Sequence, residues 1–581
     1  MSKKSKLAAM IAGAALAIGG YSSQAFAALC GDINNSGNNS AAQKCYPATG
    51  DACDSTDAVG LAQVLLAGPC PGIGCIASQC GGLGSANCGD LVADGAINSQ
   101  DLVASLQLAA GIPPLLQPCT DFGSTIACNS TVSGTITTNQ VWPGAGCVTT
   151  VDGTTLVARG VTITIEGGAI VKGVKGAATP SALIFLRGDP VAPGVYTPAK
   201  INTLSSDTDP IVMTSNQTSP GKAPADWGGL VLNGAAPVNF AGGEGSCEGL
   251  SPGVCNFGGQ NPNDSSGQLR YTRIEFSGVI FSPDNELNVL TQNGVGRGTT
   301  IEYVQANVGN DDGIEYFGGT VNGNHLVSTA TQDDNFDWQI GWTGSVQFGL
   351  SIQNATIFSA SGQNGFEGDN NEFGFDLLPR SNPNFCNMTM IGCRQNSGFP
   401  GTDCTGTGSG ALLRRGTAGK ISNSILMDYR KAGIEINQDE TLQQGCLNGT
   451  TLKTTEPYLL VRDSIVYNNG GGAQQISSGS VVSPPCTVAQ LVGMWQASEG
   501  LNVTATNPLP ALSGTYPSTA STDQFFPASP GIADGAPDCE ALNSSVFESA
   551  PYIGAFEPGG STAGGDNWLV TPGGWISFGI N

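Results

Sequence analysis

The sequence predicts a mainly β protein: a right-handed parallel β-helix, with a small α-helical, EF-hand-like region at its amino terminus. The first observation is a repeated phrase, since Asp312-Gly-Ile-Glu315-Tyr-Phe returns 22 residues later, at 334, as Asp334-Asn-Phe-Asp337-Trp-Gln. The second is a series of short β-branched or apolar runs from about residue 131 onward, separated by Gly, Asn, Asp and Pro. Such runs with such separators are typical of strands joined by turns.

The spacing of the repeats favours a solenoid over other β folds. The phrase returns as Gly365-Phe-Glu367 and as Gly433-Ile-Glu435, and a second pair, Arg273-Ile-Glu275-Phe and Thr300-Ile-Glu302-Tyr, lies 27 residues apart. Periods in the twenties made of strands are typical of β-solenoids. A β-sandwich or propeller is the second choice, because it would show hairpin turn signals and periods nearer to 40 throughout.

The first 27 residues indicate export. Three lysines precede an apolar run, and Ala25-Phe26-Ala27 matches a signal-peptidase site, so residues 1–27 are predicted to be a signal peptide. The apolar run is too short to cross a bilayer, and no later stretch is long enough, so we expect no transmembrane segment. The 18 cysteines fit an oxidising compartment. We therefore expect a secreted protein, extracellular or on the outer cell surface.

Charge and composition exclude several functions. The formal net charge of −24 argues against binding to nucleic acid or to anionic membrane surfaces. It favours calcium, cationic partners or simple solubility. A single histidine, His325, argues against a zinc site and against a histidine-dependent triad.

Two calcium-loop phrases lie in the amino-terminal region, each followed by a short amphipathic segment. Oxygen ligands of the predicted calcium sites are Asp32, Asn34, Ser36, Asp54 and Asp57 in the first copy, and Asp90, Asp94, the Ala96 carbonyl, Asn98 and Asp101 in the second. Val92 replaces one expected ligand, and an insertion holding Cys45 and Cys53 interrupts the first copy.

The pair resembles type I dockerin repeats over residues 28–117. That resemblance implies calcium binding by each loop and docking of the paired helices onto a cohesin-like domain. The alternative is a cap stapled by calcium and disulfides that has no partner.

The repeated phrase predicts a column of carboxylates on the solenoid. Because neighbouring residues of a strand face opposite sides, Ile314, Phe336 and Phe366 should face inward while Glu315, Asp337 and Glu367 face outward. Together with Asp312 and Asp334 on the adjoining turns, these acids form a second predicted calcium region. Carboxylates about 4.8 Å apart repel each other. The column is therefore either a solvated acidic stripe or a cation-binding groove.

Several longer phrases resemble a known family. They are Asp226 to Gly234, Leu269 to Gly278, Asn285 to Asn288, Asp311 to Gly319 and Leu412 to Gly416. Together they are similar, over about residues 130–581, to the bacterial β-helical cell-surface proteins that include a spirochaete outer-membrane lipoprotein and many Bacteroidetes surface proteins. The resemblance implies a pectate-lyase-like β-helix at the cell surface or outside the cell, and no established activity. The predicted domains are a signal peptide (1–27), a dockerin-like, disulfide-rich module (28–117) and a β-helix with a C-terminal cap (118–581).

We predict glycan binding, adhesion or an envelope-structural role, with an extracellular polysaccharide or a cell-surface partner. The aromatic residues near the acidic phrases, Trp227, Trp338, Trp342, Tyr316 and Phe317, form either a sugar-stacking platform or part of the core.

The alternative is a calcium-dependent polysaccharide lyase or glycoside hydrolase acting on an acidic polysaccharide. Its catalytic candidates are the acids Glu315, Asp337 and Glu367 and the bases Arg414 and Arg415, with Arg380 and Lys431 as further bases.

Overall fold

A computed structural model describes most of the chain from Gly123 onward. The described residues are 123–251, 253–282, 285–357, 362–393, 408–470, 474–476, 483–512, 523–539, 545–560, 568–569 and 575–580. The predicted signal peptide and all ten predicted ligands of the dockerin-like region lie outside these residues.

The described strands form a right-handed parallel β-helix, as predicted. Parallel pairing joins 27 of them, and three two-stranded antiparallel hairpins lie outside the solenoid. Each complete coil visits three faces in turn. We call the face that contains Ile314–Phe317 and Phe336–Gln339 the acidic face, and the other two the second and third faces.

The strand bounds, in chain order, begin with Ser124–Thr125, Ser130–Ile136, Gln140–Trp142, Val148–Val157, Thr162–Glu166, Ile170–Gly173, Ala182–Phe185, Lys200–Leu204, Ile211–Ser215, Leu230–Asn233, Gly245–Ser246 and Asn256–Phe257. They continue with Gly267–Ser277, Ile280–Ser282, Asn285–Glu286, Leu290–Asn293, Thr300–Gly309, Ile314–Phe317, Gly323–Thr329, Phe336–Gln339, Ser345–Ile352, Phe366–Gly368 and Asn384–Ile391. The last are Ala411–Leu413, Gly419–Ser422, Ile425–Met427, Ile434–Ile436, Cys446–Asn448, Thr451–Leu452, Leu459–Arg462, Ile465–Tyr467, Gln474–Ile476 and Asn502–Thr504.

A residue in the left-handed region turns the chain from the second face to the third. In five successive coils one long strand covers both faces and bends at Tyr271, Tyr303, His325, Phe348 or Asn387, whose φ lies between 38° and 58°. Non-glycine residues seldom adopt this conformation, so neighbouring coils must stabilise it. Ring stacking provides that stabilisation, because Tyr303 and His325 have centroids 4.4 Å apart and His325 and Phe348 lie 4.8 Å apart.

This stack explains the single histidine. Burial lowers the pKa of His325 to about 3, so the ring is neutral at physiological pH. His325 is thus a packed corner residue, with Trp568 of the C-terminal segment against its edge.

Two short α-helices, α1 (Asp439–Gly445) and α2 (Val488–Ser498), and one 3-10 helix (Asp523–Phe525) occur among the described residues. Thr487 caps α2 by accepting a hydrogen bond from the Gln490 N–H, and the Gln490 side chain accepts one in return from the Thr487 N–H. Leu491 and Trp495 of α2 are buried in the same cluster as the inward residues of the last coils. Helix α2 therefore covers apolar side chains at the carboxy-terminal end of the solenoid interior.

The described parts of the C-terminal segment (545–560, 568–569 and 575–580) lie along the side of the solenoid. Gln305 and Asn307 donate side-chain hydrogen bonds to the Ser577 and Gly579 carbonyls, and Asn387 donates to the Tyr552 carbonyl. A disulfide between Cys386 and Cys539 fixes the chain just before this segment to the second face.

One predicted repeat is wrong in register. Arg273-Ile-Glu275 and Thr300-Ile-Glu302 are not equivalent, because Arg270 pairs with Glu302 and Arg273 pairs with Gln305. The coil offset is therefore 32 residues rather than 27 (270 to 302). The error arises because both phrases lie on long bent strands that span two faces of the coil. Similar alternating phrases occur on each face, so a phrase on one face is matched to a phrase on the other.

None of the helices in the described part of the chain has the length and hydropathy that crossing a bilayer requires.

Candidate functional site

The repeated acidic phrase forms a continuous column on the acidic face. Glu315 is directly opposite Asp337, and Asp337 is opposite Glu367. On the other side of these strands Ile314, Phe336 and Phe366 are fully buried in the main core. Leu412 interrupts the column in the next coil, and Glu435 follows it. A long insertion separates Ala411–Leu413 from the preceding strand of the column, so this coil cannot be recognised from the spacing of the repeat.

The column is covered rather than solvated, which excludes the predicted wet stripe. Glu315 is 4% exposed and Asp337 is 9% exposed. Two segments lie beside them: a loop over residues 235–259, closed by the Cys247–Cys255 disulfide, and a loop over residues 369–383. Asn239 of the first loop joins the two segments by hydrogen bonds with Asn370 and Asn371.

Acids from the preceding turns extend the column sideways. Asp312 Oδ1 accepts a hydrogen bond from the backbone N–H of Asp334 at 2.8 Å, and Asp334 Oδ1 accepts one from the Asn364 N–H. Each turn is therefore held by a carboxylate of the coil before it. Asp311 and Asp333 lie on the same turns and are partly exposed.

Burial and mutual repulsion raise the pKa values of these groups. Burial first, and the Glu286 carboxylate second, raise the pKa of Asp311 to about 7. Burial and Asp333 raise the pKa of Asp334 to about 7. The pKa values of Glu315 and Asp337 rise well above the usual range through burial and the neighbouring carboxylates. The ionised column is therefore unfavourable unless cations compensate it.

Two arginines compensate the carboxy-terminal half of the column. The Arg414 guanidinium donates to Glu367 and, at 2.9 Å, to Asp369, while Arg415 contacts Asp369 at 2.6 Å. These carboxylates raise the pKa of Arg414 above its usual value, although burial acts against them. Arg414 is therefore poorly suited to accept a proton from a substrate.

The further basic candidates are also engaged. Lys431 pairs with Glu435 at 2.6 Å, and Arg380 pairs with Asp376 at 2.5 Å and donates to backbone carbonyls. Because Glu315 and Asp337 are also shielded from a polymer, the catalytic candidates do not form an accessible acid–base pair.

Four residues of the site were not predicted from the sequence. Asn288 and Gln339 donate hydrogen bonds to Glu315, the latter at 2.9 Å. Glu248, on the disulfide-closed loop, and Glu286, on the Ile280–Glu286 hairpin, bring further negative charge, and burial followed by Asp311 raises the pKa of Glu248 to about 8. The phrase Asn285-Glu-Leu-Asn288 was the available signal for two of them.

The predicted aromatic platform is part of the core. Trp227, Trp338, Trp342 and Tyr316 are at most 1% exposed, and Phe317 is 6% exposed. Trp338 donates its indole N–H to Thr417, and Tyr316 stacks on Trp342 with centroids 3.8 Å apart. None of these rings can stack on a sugar.

A different aromatic residue is exposed beside the acidic column. Phe373 is 79% exposed and Leu378 is 73% exposed, on the loop that starts at Asp369. The loop is held from inside by Asn370, which donates to the Phe375 and Leu377 carbonyls at 3.0 Å, and by Arg380. It is therefore a fixed loop that presents apolar side chains to solvent.

Two groups of three acids have the spacing of a metal site. Asp312, Glu315 and Asp337 each offer one oxygen within 4.8 Å of the others, and so do Asp311, Asp312 and Asp333. Asp334 and Glu367, the other two acids of the predicted second calcium region, lie next to these groups but have protein partners. Asp334 accepts a hydrogen bond from the Asn364 N–H, and Glu367 pairs with Arg414. An all-oxygen donor set suits calcium or magnesium rather than zinc.

A comparison with protein families agrees with this architecture. The family model described as a pectate-lyase-like β-helix domain matches residues 134–476, which is more than half of the chain. No curated protein matches the chain significantly. Among solved structures, the A-module of mannuronan C-5 epimerase AlgE4 from Azotobacter vinelandii is similar at 10% identity and a TM-score of 0.27, over 61% of this chain and 91% of that chain. From the family match, this chain belongs to the pectate-lyase-like β-helix family.

Proposed function

We propose that this protein binds an extracellular polysaccharide through the loop over residues 369–383, next to the acidic column. The observation that carries the proposal is the exposure of Phe373 and Leu378 on a loop that is internally fixed. An exposed apolar patch beside polar groups is typical of an interaction site. The aromatic ring supplies a flat surface for the apolar face of a sugar.

Charged groups at the base of the loop complete the candidate surface. Arg415 lies 3.7 Å from Glu372 and 2.6 Å from Asp369, and Asp376 is largely exposed on the same loop. Such groups can donate hydrogen bonds to sugar hydroxyls, or accept hydrogen bonds from them, around a sugar ring that stacks on Phe373. Membership of a family described as pectate-lyase-like supports a carbohydrate ligand. The roles that follow are adhesion or envelope structure.

The proposal predicts that Phe373→Ala weakens polysaccharide binding by about tenfold or more, since truncating a central anchor residue commonly costs above 1 kcal/mol. The measurement is binding of the full secreted chain to a panel of acidic and neutral polysaccharides. Val191→Ala is the control, because Val191 is 53% exposed on a coil towards the amino-terminal end of the solenoid.

Unchanged binding in Phe373→Ala, or equal loss in Val191→Ala, contradicts the assignment. The same incubations separate binding from catalysis, because a lyase releases unsaturated products that absorb ultraviolet light. Product release that Glu315→Gln abolishes favours the lyase alternative, and shortened saturated products favour the hydrolase.

We further propose that the chain is secreted and is of the bacterial cell-surface type related to the spirochaete lipoprotein and the Bacteroidetes surface proteins. Disulfides formed within the described residues, such as Cys128–Cys147 and Cys446–Cys486, support an oxidising location.

We also propose that residues 28–117 form a calcium-dependent dockerin-like module that docks onto a cohesin-like domain. The two loop phrases and their following helical patterns support it. Asp94→Ala in the full chain is expected to reduce the number of calcium ions bound, as measured by calorimetry, because it removes a loop ligand. An unchanged number contradicts the loop assignment, and a cohesin pull-down that fails in calcium contradicts the docking partner.

A further inference from the structure

The carboxylates of Asp312, Glu315 and Asp337 form a compact triad under the acidic face. One oxygen from each lies within 4.8 Å of the others, and all three residues are at least nine-tenths buried. Asp312 and Glu315 belong to one coil, and Asp337 belongs to the next. The triad therefore lies across a coil boundary, not within one turn.

Positive charge acts on this triad without an ion pair: the Arg414 guanidinium interacts electrostatically with Asp337 but forms its salt bridges elsewhere. The salt bridges of Arg414 and Arg415 go to Glu367, Asp369 and Glu372. Within the described part of the chain, no lysine or arginine forms an ion pair with any member of the triad. Three buried carboxyl groups this close together require either protons or a cation, because their mutual repulsion is large at low dielectric.

One oxygen atom of the triad has no protein partner in the part of the chain that the structure describes, and this favours a cation. Glu315 accepts hydrogen bonds from Asn288 and Gln339, and Asp312 Oδ1 accepts one from the Asp334 N–H. By contrast, the buried Asp337 Oδ1 has no hydrogen-bond donor among the described residues. Leaving a buried carboxylate oxygen unpaired is costly, and a cation between the three carboxylates would pair it while also offsetting their repulsion.

We propose that one calcium ion binds between Asp312, Glu315 and Asp337 and joins the two coils. Calcium–oxygen distances of about 2.3 to 2.6 Å allow ligand oxygens on opposite sides of the ion to be about 5 Å apart. The three oxygens here all lie within 4.8 Å of one another, so one ion can contact all of them. Magnesium is less suitable, since it usually retains several waters and the three side chains are enclosed. Zinc lacks the nitrogen and sulfur ligands that it prefers.

The ion has a structural role, and the inference does not depend on carbohydrate binding. The second strand of the pair also carries Gln339, which bonds to Glu315, and the turn before it is held by Asp312. An ion at the triad therefore fixes two consecutive coils at the point where the loop over residues 235–259 covers them.

The test compares the full secreted chain with Asp337→Asn, in calcium and in a chelator. Asparagine keeps the side-chain shape but removes the charge that binds the ion. In calcium at about 100-fold above the dissociation constant, the wild-type melting temperature should rise by about 3 °C. In Asp337→Asn the part of this rise that comes from the triad should be absent. In chelator the variant should melt no lower than wild type, because one of three mutually repelling carboxylates has been removed.

Calorimetry provides the second readout. Asp337→Asn should bind one calcium ion fewer than wild type, while the calcium sites proposed in residues 28–117 contribute equally to both. Glu435→Gln is the control, because Glu435 lies in the same column but is paired with Lys431 and Ser409. Its effect on the melting temperature should therefore be the same with and without calcium.

An unchanged calcium count in Asp337→Asn overturns the proposal. So does a loss of stability that is equal in calcium and in chelator, which indicates a packing role alone. If Asp337→Asn does not fold, Glu315→Gln is measured in the same way, with the same expected loss of one ion.

Discussion

Replacing Arg414 with methionine is expected to lower the free energy of unfolding by about 3 to 5 kcal/mol at pH 7, because removing one partner of a buried ion pair leaves the other charge uncompensated. Arg414 contacts both Glu367 and Asp369, whose side chains are 12% and 3% exposed. Methionine keeps much of the side-chain volume, so the loss comes from charge rather than from a cavity. Urea denaturation of both proteins measures it.

The pH dependence and a double variant separate charge from packing. Burial first, and Asp334 second, raise the pKa of Glu367 above its unfolded value, so the folded state binds the extra proton and is destabilised as pH rises. Without Arg414 this effect is larger, and the deficit of Arg414→Met should grow from pH 5 to pH 8. Arg414→Met combined with Glu367→Gln should recover part of the loss. A deficit that is independent of pH and unaffected by Glu367→Gln contradicts the account.

Removal of the Cys386–Cys539 disulfide is expected to have a similarly large effect. The bridge closes a loop with a sequence separation of 153 residues. Replacing both cysteines by serine should therefore lower the free energy of unfolding by about 4 kcal/mol, mainly because the unfolded chain gains conformational entropy. The bridge also fixes the chain just before the C-terminal segment that packs on Tyr303 and His325. Trp568 and Trp575 lie in that segment, so tryptophan fluorescence follows its release during urea denaturation.

The matched control is the pair Cys247 and Cys255, separated by eight residues. Its replacement should cost about 2 kcal/mol, because a short loop restricts the unfolded chain less. Equal losses for the two pairs would contradict the loop-length explanation. An early fluorescence change in the Cys386/Cys539 variant, before the solenoid unfolds, is expected if the bridge retains the segment.

The column at residues 314–317, 336–339 and 366–368 could be predicted from the sequence because its strands are short and carry the same phrase. Each strand contributes one inward and one outward residue at the same position, so the repeat gives the register directly. The neighbouring coil at Leu412 was hidden, because a long insertion separates it from Glu367 and no acid marks it.

The environment of the column could not be predicted in the same way. Whether Glu315 is solvated depends on its three-dimensional surroundings, where Asn288 and Gln339 donate hydrogen bonds to it. Trp338 faces the interior because it alternates with Asp337 along its strand, whereas Phe373 is exposed because Asn370 and Arg380 fix its loop from inside. These contacts join residues that no local pattern connects.

The most direct test of the cation assignment is a crystal structure of the full chain grown with calcium, with data collected for anomalous scattering from the ion. The account predicts an anomalous peak about 2.3 to 2.6 Å from oxygens of Asp312, Glu315 and Asp337. An ordered column with no peak there, and with a protein donor or a water on Asp337 Oδ1 instead, would contradict it.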